Sequence, residues 1–339
     1  MKRTIALVVV ALAVQWLSDT VSRADSLSLF RIGTGGRTGV YYPIGKLIAQ
    51  GLTADAIATD LPGEGGQGLA GMIGVAQNSA GSIDNIRMVA SGTIEAGLVQ
   101  ADVADWAYTG QGVFADDKRV SVVRAVASLY PEKLQIVTRG DAGVTRFAGL
   151  RGKRISIDEV GSGTLAVIRI ALEAHGLRET DLQPVYLKPV FTHEKIVSGE
   201  LQGFGLVAGV PAEAVTRLAD IGIHAVPIAP EVGQRIHQRH SFLVPGMIPA
   251  GVYAGIPETP TLEVYALLVV NATMDEALVY QVTTALWSSR TQELLHQGHP
   301  QGRAIRLDTA LKGLSIPLHP GALRYYRERG LTIPGVAAQ

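Results

Sequence analysis

The run Gly33-Thr34-Gly35-Gly36-Arg37-Thr38 follows a short apolar stretch and precedes a helical pattern. Residues of these types in this order can cradle an anion. Small residues let the backbone turn, and the free N–H groups of a helix start, backed by the helix dipole, favour a carboxylate or phosphate. The dinucleotide fingerprint G-x-G-x-x-G is not met, because Thr38 stands where its third glycine allows close helix–strand packing. Asp55 and Asp60 lie near the distance of a ribose-binding acid, but no second strand clearly ends there. A P-loop fails as well: Gly45-Lys46 is followed by Leu47, and Val40 replaces the first glycine. What survives is a general anion site or an empty tight turn.

A second small-residue turn, Gly161-Ser162-Gly163-Thr164, has the same character, with Ser162 or Thr164 as helix cap. It lacks the G-x-S-x-G spacing of a nucleophile elbow. Gln100 and Asp102 follow a strand pattern, and Asp102 either caps the next helix or faces a cleft. Of Tyr41 and Tyr42, one ring is expected in the core and the other toward the cleft. His237 and His240, like His296 and His299, are spaced i,i+3, but no third ligand or adjacent base accompanies them. No metal site, cofactor or catalytic set is therefore expected, and the chain reads as a binder rather than an enzyme.

The elements that must position these residues alternate between strand and helix. A strand over 27–32 leads into the first turn, and Ile44, Leu47, Ile48 and Leu52 carry helical spacing. The glycine-rich segment 61–74 reads as a mobile loop. Ser82 is placed to cap a helix, and 96–99 reads as a short strand. Segment 122–138 holds two apolar runs joined by Pro131-Glu132-Lys133. A strand over 154–157 precedes the second turn, and Gly176 suits the residue after a helix end. Segment 245–260 reads as a surface excursion, 264–270 as a buried strand, and 274–287 as a helix. Such alternation implies an α/β fold with mostly parallel sheets. In open α/β sheets ligands sit at the carboxyl ends of strands. Two sheets facing each other would bring both glycine turns to one cleft.

The composition bounds the partners. The 339 residues are 47% hydrophobic, enough for about two domains of ordinary size. Lys+Arg and Asp+Glu are both 30, so net charge gives no reason to expect nucleic acid or a membrane surface as partner. With no cysteine, disulfides, thiol catalysis and Cys-bound zinc are excluded. At the N-terminus, Lys2 and Arg3 precede an apolar run over 5–14, shorter than the ~20 residues a membrane span requires. Ser22-Arg23-Ala24 supplies small residues at the −3 and −1 positions of a cleavage site. Residues 1–24 read as a signal peptide, which implies an exported, periplasmic protein.

The stretches IGTGGRTGVYYPIG, GSIDNIRMVASGTIEAGLVQADVADWAYTG, ASLYPEKLQIVTR, LRGKRISIDEVGSGT, VAGVPAEAV, IPAGVY and IPLHPGALRYYRERG occur in order over nearly the whole mature chain. Together they resemble the TAXI family, the solute-binding proteins of one class of TRAP transporter (tripartite, ATP-independent, periplasmic). The resemblance implies a two-lobed periplasmic-binding-protein fold of type II, with mixed, mostly parallel sheets and hinge strands. Lobe I would be 25–132 with 259–339, and lobe II 133–258. The ligand would be a small carboxylate such as glutamate, a related amino acid or a dicarboxylic acid. The partners would be TRAP membrane subunits, fused or separate, with the receptor a monomer. A sensory receptor serving a membrane histidine kinase is the alternative on the same fold.

Matching positions nominate Thr34, Gly35, Gly36, Thr38 and Tyr41 from the first turn, and Ser82, Asn85, Gln100 and Asp102 from the second stretch. Lobe II contributes Ser162, Gly163, Thr164, Gly209 and Pro211. Helix-start N–H groups and hydroxyls would hold carboxylates, Asp102 or Gln100 an amino or hydroxyl group, and Tyr41 would cover an apolar stem. Arg37 departs from the small residue common in the family, and either grips a carboxylate in bidentate fashion or points to solvent. Gln202-Gly203 stands where an Asp-Ala pair is usual.

Overall fold

The computed structural model describes residues 28–37, 39–53, 68–160, 162–240 and 242–338. The expected signal peptide, Thr38, Gly161 and the first half of the loop over 61–74 lie outside these residues.

Two long strands organise the molecule. β4 (Val123–Arg139) and β10 (Thr259–Asn271) run antiparallel to each other. Strands usually have five or six residues. At about 3.3 Å per residue, β4 extends roughly 55 Å, enough to belong to both halves of a domain pair. On one flank, β3 (Ala96–Gln100) pairs with β10, and β1 (Ser28–Gly33) and β2 (Met72–Gln77) continue in parallel to give the order β2-β1-β3-β10. On the other flank, β7 (Gly203–Ala208) pairs with β4, and β5 (Arg154–Ser156) and β6 (Gln183–Val185) continue in parallel. Two short strands close the pattern, β8 (Ile223–Ala225) against β4 and β9 (Val244–Ile248) against β10. The expectation of two separate sheets gives way to one continuous ten-stranded sheet, because β4 and β10 are shared.

The partner change is sharp. Along β4, residues up to Lys133 pair with β10 and residues from Lys133 onward pair with β7. Along β10, Thr259 to Glu263 pair with β9, and Ala266 to Val270 pair with β3. Lys133 and Glu263 form an ion pair at this crossing. The two apolar runs therefore form one strand through Pro131-Glu132-Lys133 rather than two strands with a join.

Helices pack on both flanks: α1 (Tyr41–Leu52), α2 (Ser82–Ala90), α3 (Ala101–Thr109), α4 (Gly163–Ala174), α5 (Pro230–Arg239), α6 (Glu276–Leu286), α7 (Ser289–Gly298) and α8 (Pro320–Glu328). On α1, Ile44, Ile48 and Leu52 are fully buried at helical spacing, each worth roughly 1.5–3 kcal/mol of transfer free energy. On α8, the Tyr326 hydroxyl donates to the Val126 carbonyl at 3.0 Å and accepts from Trp287 Nε1 at 3.0 Å. The C-terminal helix is thus tied to the first half of β4.

Two further expectations need correction. The end of the glycine-rich segment is strand β2, where a side chain on Gly74 would place its Cβ 2.2 Å from the Ala49 carbonyl oxygen. That glycine permits close strand–helix contact. Likewise, β9 draws part of the Pro/Gly-rich segment 245–260 into the sheet. Among the described residues, no helix is long and apolar enough to cross a membrane.

Candidate functional site

Both sets of parallel strands deliver their C-terminal ends to one place, as open α/β sheets do for ligands. A cavity of about 80 Å³ lies there, room for several waters or a solute of a few heavy atoms. From the first half of the chain it is lined by Gly35, Gly36, Gly39, Val40 and Tyr41 after β1, and by Ala80, Gly81 and Ser82 after β2. Gln100 at the end of β3 and Glu132 in the middle of β4 complete that side. The opposite wall is Asp158, Ser162, Gly163 and Thr164 after β5, Lys188 and Pro189 after β6, and Leu206, Val207 and Ala208 at the end of β7.

Three helices start at this cavity. The N-cap positions of α1 and α2, Val40 and Gly81, make no side-chain cap hydrogen bond. Their first-turn N–H groups are suited to an anion. The start of α4 is different. Ser162 Oγ caps it by accepting from the Leu165 N–H at 3.1 Å, and the carboxylate of Asp158 faces it. Asp158 is the one described non-glycine residue with positive φ, at 68°, a conformation that costs free energy and is kept where surroundings demand it. Its Oδ1 accepts from the Glu159 N–H at 2.8 Å. Burial pushes its pKa up to about 6, opposed by that N–H and by the Thr164 and Ser162 hydroxyls.

Glu132 is the other cavity acid, only 1% exposed. Tyr41 donates its hydroxyl to Glu132 Oε2 at 2.7 Å. Burial pushes the Glu132 carboxyl well above the usual carboxylate range, and the neighbouring Asp102 adds to the shift. Asp102, on α3, is fully buried behind Glu132, and burial pushes it up to about 7. The N–H groups of Val103 and Asp102 oppose that shift only in part, since neither carboxylate oxygen reaches a partner at hydrogen-bonding geometry. Lys188 is the only cation lining the cavity among the described residues. It crosses the cleft, donating to the Ser79 carbonyl at 2.9 Å while its Nζ lies 3.0 Å from Glu159.

Eight of the residues nominated from sequence line the cavity together: Gly35, Gly36, Tyr41, Ser82, Gln100, Ser162, Gly163 and Thr164. Several have other duties than expected. Ser82 is the first residue of α2, not its cap, and its Oγ accepts from the Gln100 N–H at 3.1 Å. The Tyr41 hydroxyl is directed to Glu132, and Thr164 Oγ1 accepts from the Val207 N–H at 3.0 Å.

Of the other nominated residues, Thr34, Arg37, Asn85, Asp102, Gly209 and Pro211 do not line it, and Thr38 lies outside the described residues. Thr34 and Asn85 are fully buried braces: Thr34 Oγ1 donates to the Gln77 carbonyl at 2.7 Å, and Asn85 Nδ2 donates to the carbonyls of Thr34 and Leu98. Arg37 is exposed, its guanidinium 5.9 Å from the Tyr42 ring centre. Gly209 packs against Gln301, and Pro211 lies outside the lining. Gln202 braces the backbone, accepting from the Arg154 N–H at 2.9 Å and donating to the Gly199 carbonyl. A side chain on Gly203 would collide with the Val137 carbonyl oxygen at 2.4 Å. The Gln202-Gly203 departure therefore belongs to strand packing, away from the cavity.

Sequence reasoning missed Glu132, Asp158 and Lys188. The signal for Glu132 was present: a carboxylate inside a long apolar strand seldom goes fully inside without a purpose. Asp158 follows a strand end just before a glycine turn. Nothing in the surroundings of Lys188 marked it.

A two-lobed α/β architecture joined by continuous strands, with its cavity at the strand ends, is the periplasmic-binding-protein type II fold. The chain belongs to the NMT1-like family, whose profile matches residues 32–330. Among solved structures, a protein of Bordetella bronchiseptica RB50 shares 15% identity over 88% of this chain and 82% of its own, with a TM-score of 0.50. The alkanesulfonate-binding protein SsuA of Xanthomonas axonopodis pv. citri, bound to MOPS, is similar at 14% identity over 90% and 80%, with a TM-score of 0.48. The substrate-binding protein of an amino acid ABC transporter is similar at 10% identity over 80% and 100%, with a TM-score of 0.45.

Proposed function

We propose that this protein is an extracytoplasmic solute receptor that holds a small carboxylate between two lobes. The carrying observation is the cavity at the joint of the sheet, where the uncapped starts of α1 and α2 meet the wall formed after β5, β6 and β7. The lobes are 25–132 with 259–339, and 133–258. Support comes from the exchange of strand partners at Lys133 on β4 and after Glu263 on β10. The ligand's carboxylate sits on the N–H groups of α1 and α2, and closure about the shared strands buries it. Export through a leader cut after Ala24, and delivery to TAXI-type TRAP membrane subunits, belong to the same proposal. The first rests on the N-terminal pattern of Lys2, Arg3, an apolar run and Ser22-Arg23-Ala24, the second on the resemblance of the sequence stretches.

The direct test is thermal denaturation of residues 25–339 against a panel of amino acids, dicarboxylates and keto acids. A true ligand at 100-fold over Kd adds about 2.7 kcal/mol of stability and raises Tm. If no small acid raises Tm, the receptor reading fails. For the transporter, uptake into vesicles carrying the membrane subunits should require the receptor and an ion gradient and should persist without ATP.

A further inference from the structure

Three side chains bring acceptor oxygens to the cavity: Gln100, Glu132, whose Oε2 accepts from the Tyr41 hydroxyl, and Asp158, whose Oδ1 accepts from the Glu159 N–H. Gln100 is 3% exposed, lines the cavity, and its Oε1 has no hydrogen-bond partner among the described residues. That oxygen lies against the start of α4, where a Cβ on Gly163 would be 2.6 Å from it. Asp158 sits at the same helix start, and Glu132 enters from the shared strand. An ammonium group carries three donors and a full positive charge. We infer that Gln100, Glu132 and Asp158 form an ammonium subsite, so that the solute is a small amino acid and amine-free acids are excluded. The inference rests on the carboxylate-receptor reading and specifies which carboxylates the site accepts.

The charges around Glu132 point the same way. Around it are Tyr41 from α1, Asp102 from α3 and Tyr130 from its own strand, while Asp158 and Lys188 line the opposite wall of the same cavity. Lys188 is engaged with Ser79 and Glu159, and Lys133, next along the strand, is paired with Glu263. Among the described residues, no cation is paired with Glu132. A ligand with a second carboxylate in this position would meet two acids. A ligand with an ammonium supplies the missing charge. Burial favours the protonated form of Glu132, pushing its carboxyl well above the usual carboxylate range. When the ammonium arrives, the carboxyl releases its proton to solvent and the carboxylate pairs with the ammonium. No other bond changes.

Isothermal titration of the mature protein at pH 7.5 tests this with matched probes: alanine against propionate and lactate, and glutamate against glutarate. Repeating each titration in buffers of different ionisation enthalpy counts released protons. The expected result is an amino acid that binds at least 100-fold tighter than its amine-free partner, with net proton release. Glu132→Gln should weaken that amino acid at least tenfold without lowering Tm, and Asp158→Asn should weaken it as well. Neither should weaken an amine-free acid. Equal binding of amine-free acids, or an unchanged ratio in both variants, overturns the ammonium subsite and leaves the carboxylate receptor standing. Failure of every acid to bind overturns both.

Discussion

Replacing Asp102 with asparagine should stabilise the protein in neutral and alkaline solution and flatten part of its pH dependence. Asp102 is fully buried on α3, and burial raises its pKa from 3.8 to about 7. The sign follows from proton counting. Between those two values the folded protein holds a proton that the unfolded chain has released, so stability falls as pH rises through this window. The loss is complete above the folded value. At about 1.4 kcal/mol per pH unit, ionising Asp102 inside the fold costs about 4 kcal/mol. Glu132 and Asp158 shift in the same direction, so the wild-type slope is steeper than that of Asp102 alone. The variant removes one part of it. Urea unfolding of residues 25–339 at pH 5, 6, 7 and 8 measures this directly. The stability of Asp102→Asn relative to wild type should rise by a few kcal/mol from pH 5 to pH 8. Parallel curves would refute the burial of an ionisable Asp102.

Two substitutions probe the cavity wall. Gly163→Ala places a Cβ 2.6 Å from Gln100 Oε1 and 2.8 Å from its Cδ, so either Gln100 or α4 must move. Alanine suits a helix better than glycine by about 1 kcal/mol, so Tm should hold while affinity for the best acid of the panel falls more than tenfold by titration. Unchanged affinity would remove Gln100 from the site. Arg37→Ala removes an exposed guanidinium that lies 5.9 Å from the Tyr42 ring centre. Its Kd should stay within about twofold of wild type, the scale expected when only a surface cation–π contact of roughly 0.5–1 kcal/mol is lost away from the ligand. A tenfold loss would place Arg37 on the ligand.

The elements were legible where local physics decides them. Ile44, Ile48 and Leu52 marked α1 by spacing, Gly176 closes the turn after α4 with φ of 71°, and the glycine turns lie at strand ends where the cavity forms. What stayed hidden depends on partners distant in sequence. Pro131-Glu132-Lys133 looked like a break because proline has no N–H for a ladder, yet Pro131 lies opposite Tyr265 within the shared strand. Strand β2 was masked by Gly74, whose role is visible only once Ala49 packs against it. The carboxyls were misjudged for a related reason. A helix start invites an anion, and at α4 the protein supplies one of its own in Asp158, so that half of the cleft attracts a cation. The spacing of residues around Gly161 to Thr164 carries no trace of that reversal.

In the proposed receptor, with its proposed ammonium subsite and two lobes, the position of Glu132 ties recognition to closure. It sits one residue before Lys133, where β4 exchanges β10 for β7 as its neighbour. Rotation of one lobe against the other must be absorbed near this point, since the strands on either side are fixed to different partners. A ligand held by Glu132 therefore touches the joint itself, while its contacts with the α1 and α2 starts and with Asp158 bridge the two walls. Without a ligand, burial favours the protonated forms of Glu132 and Asp158, so closing gains no charge pairing from them. An ammonium in the cavity lets both acids ionise and pair with it. The Lys188 bond to the Ser79 carbonyl already spans the cleft, but it neutralises neither cavity acid, because its ion pair is with Glu159. A cross-cleft latch can hold the lobes together, and only a charged solute can make the acids inside favour it.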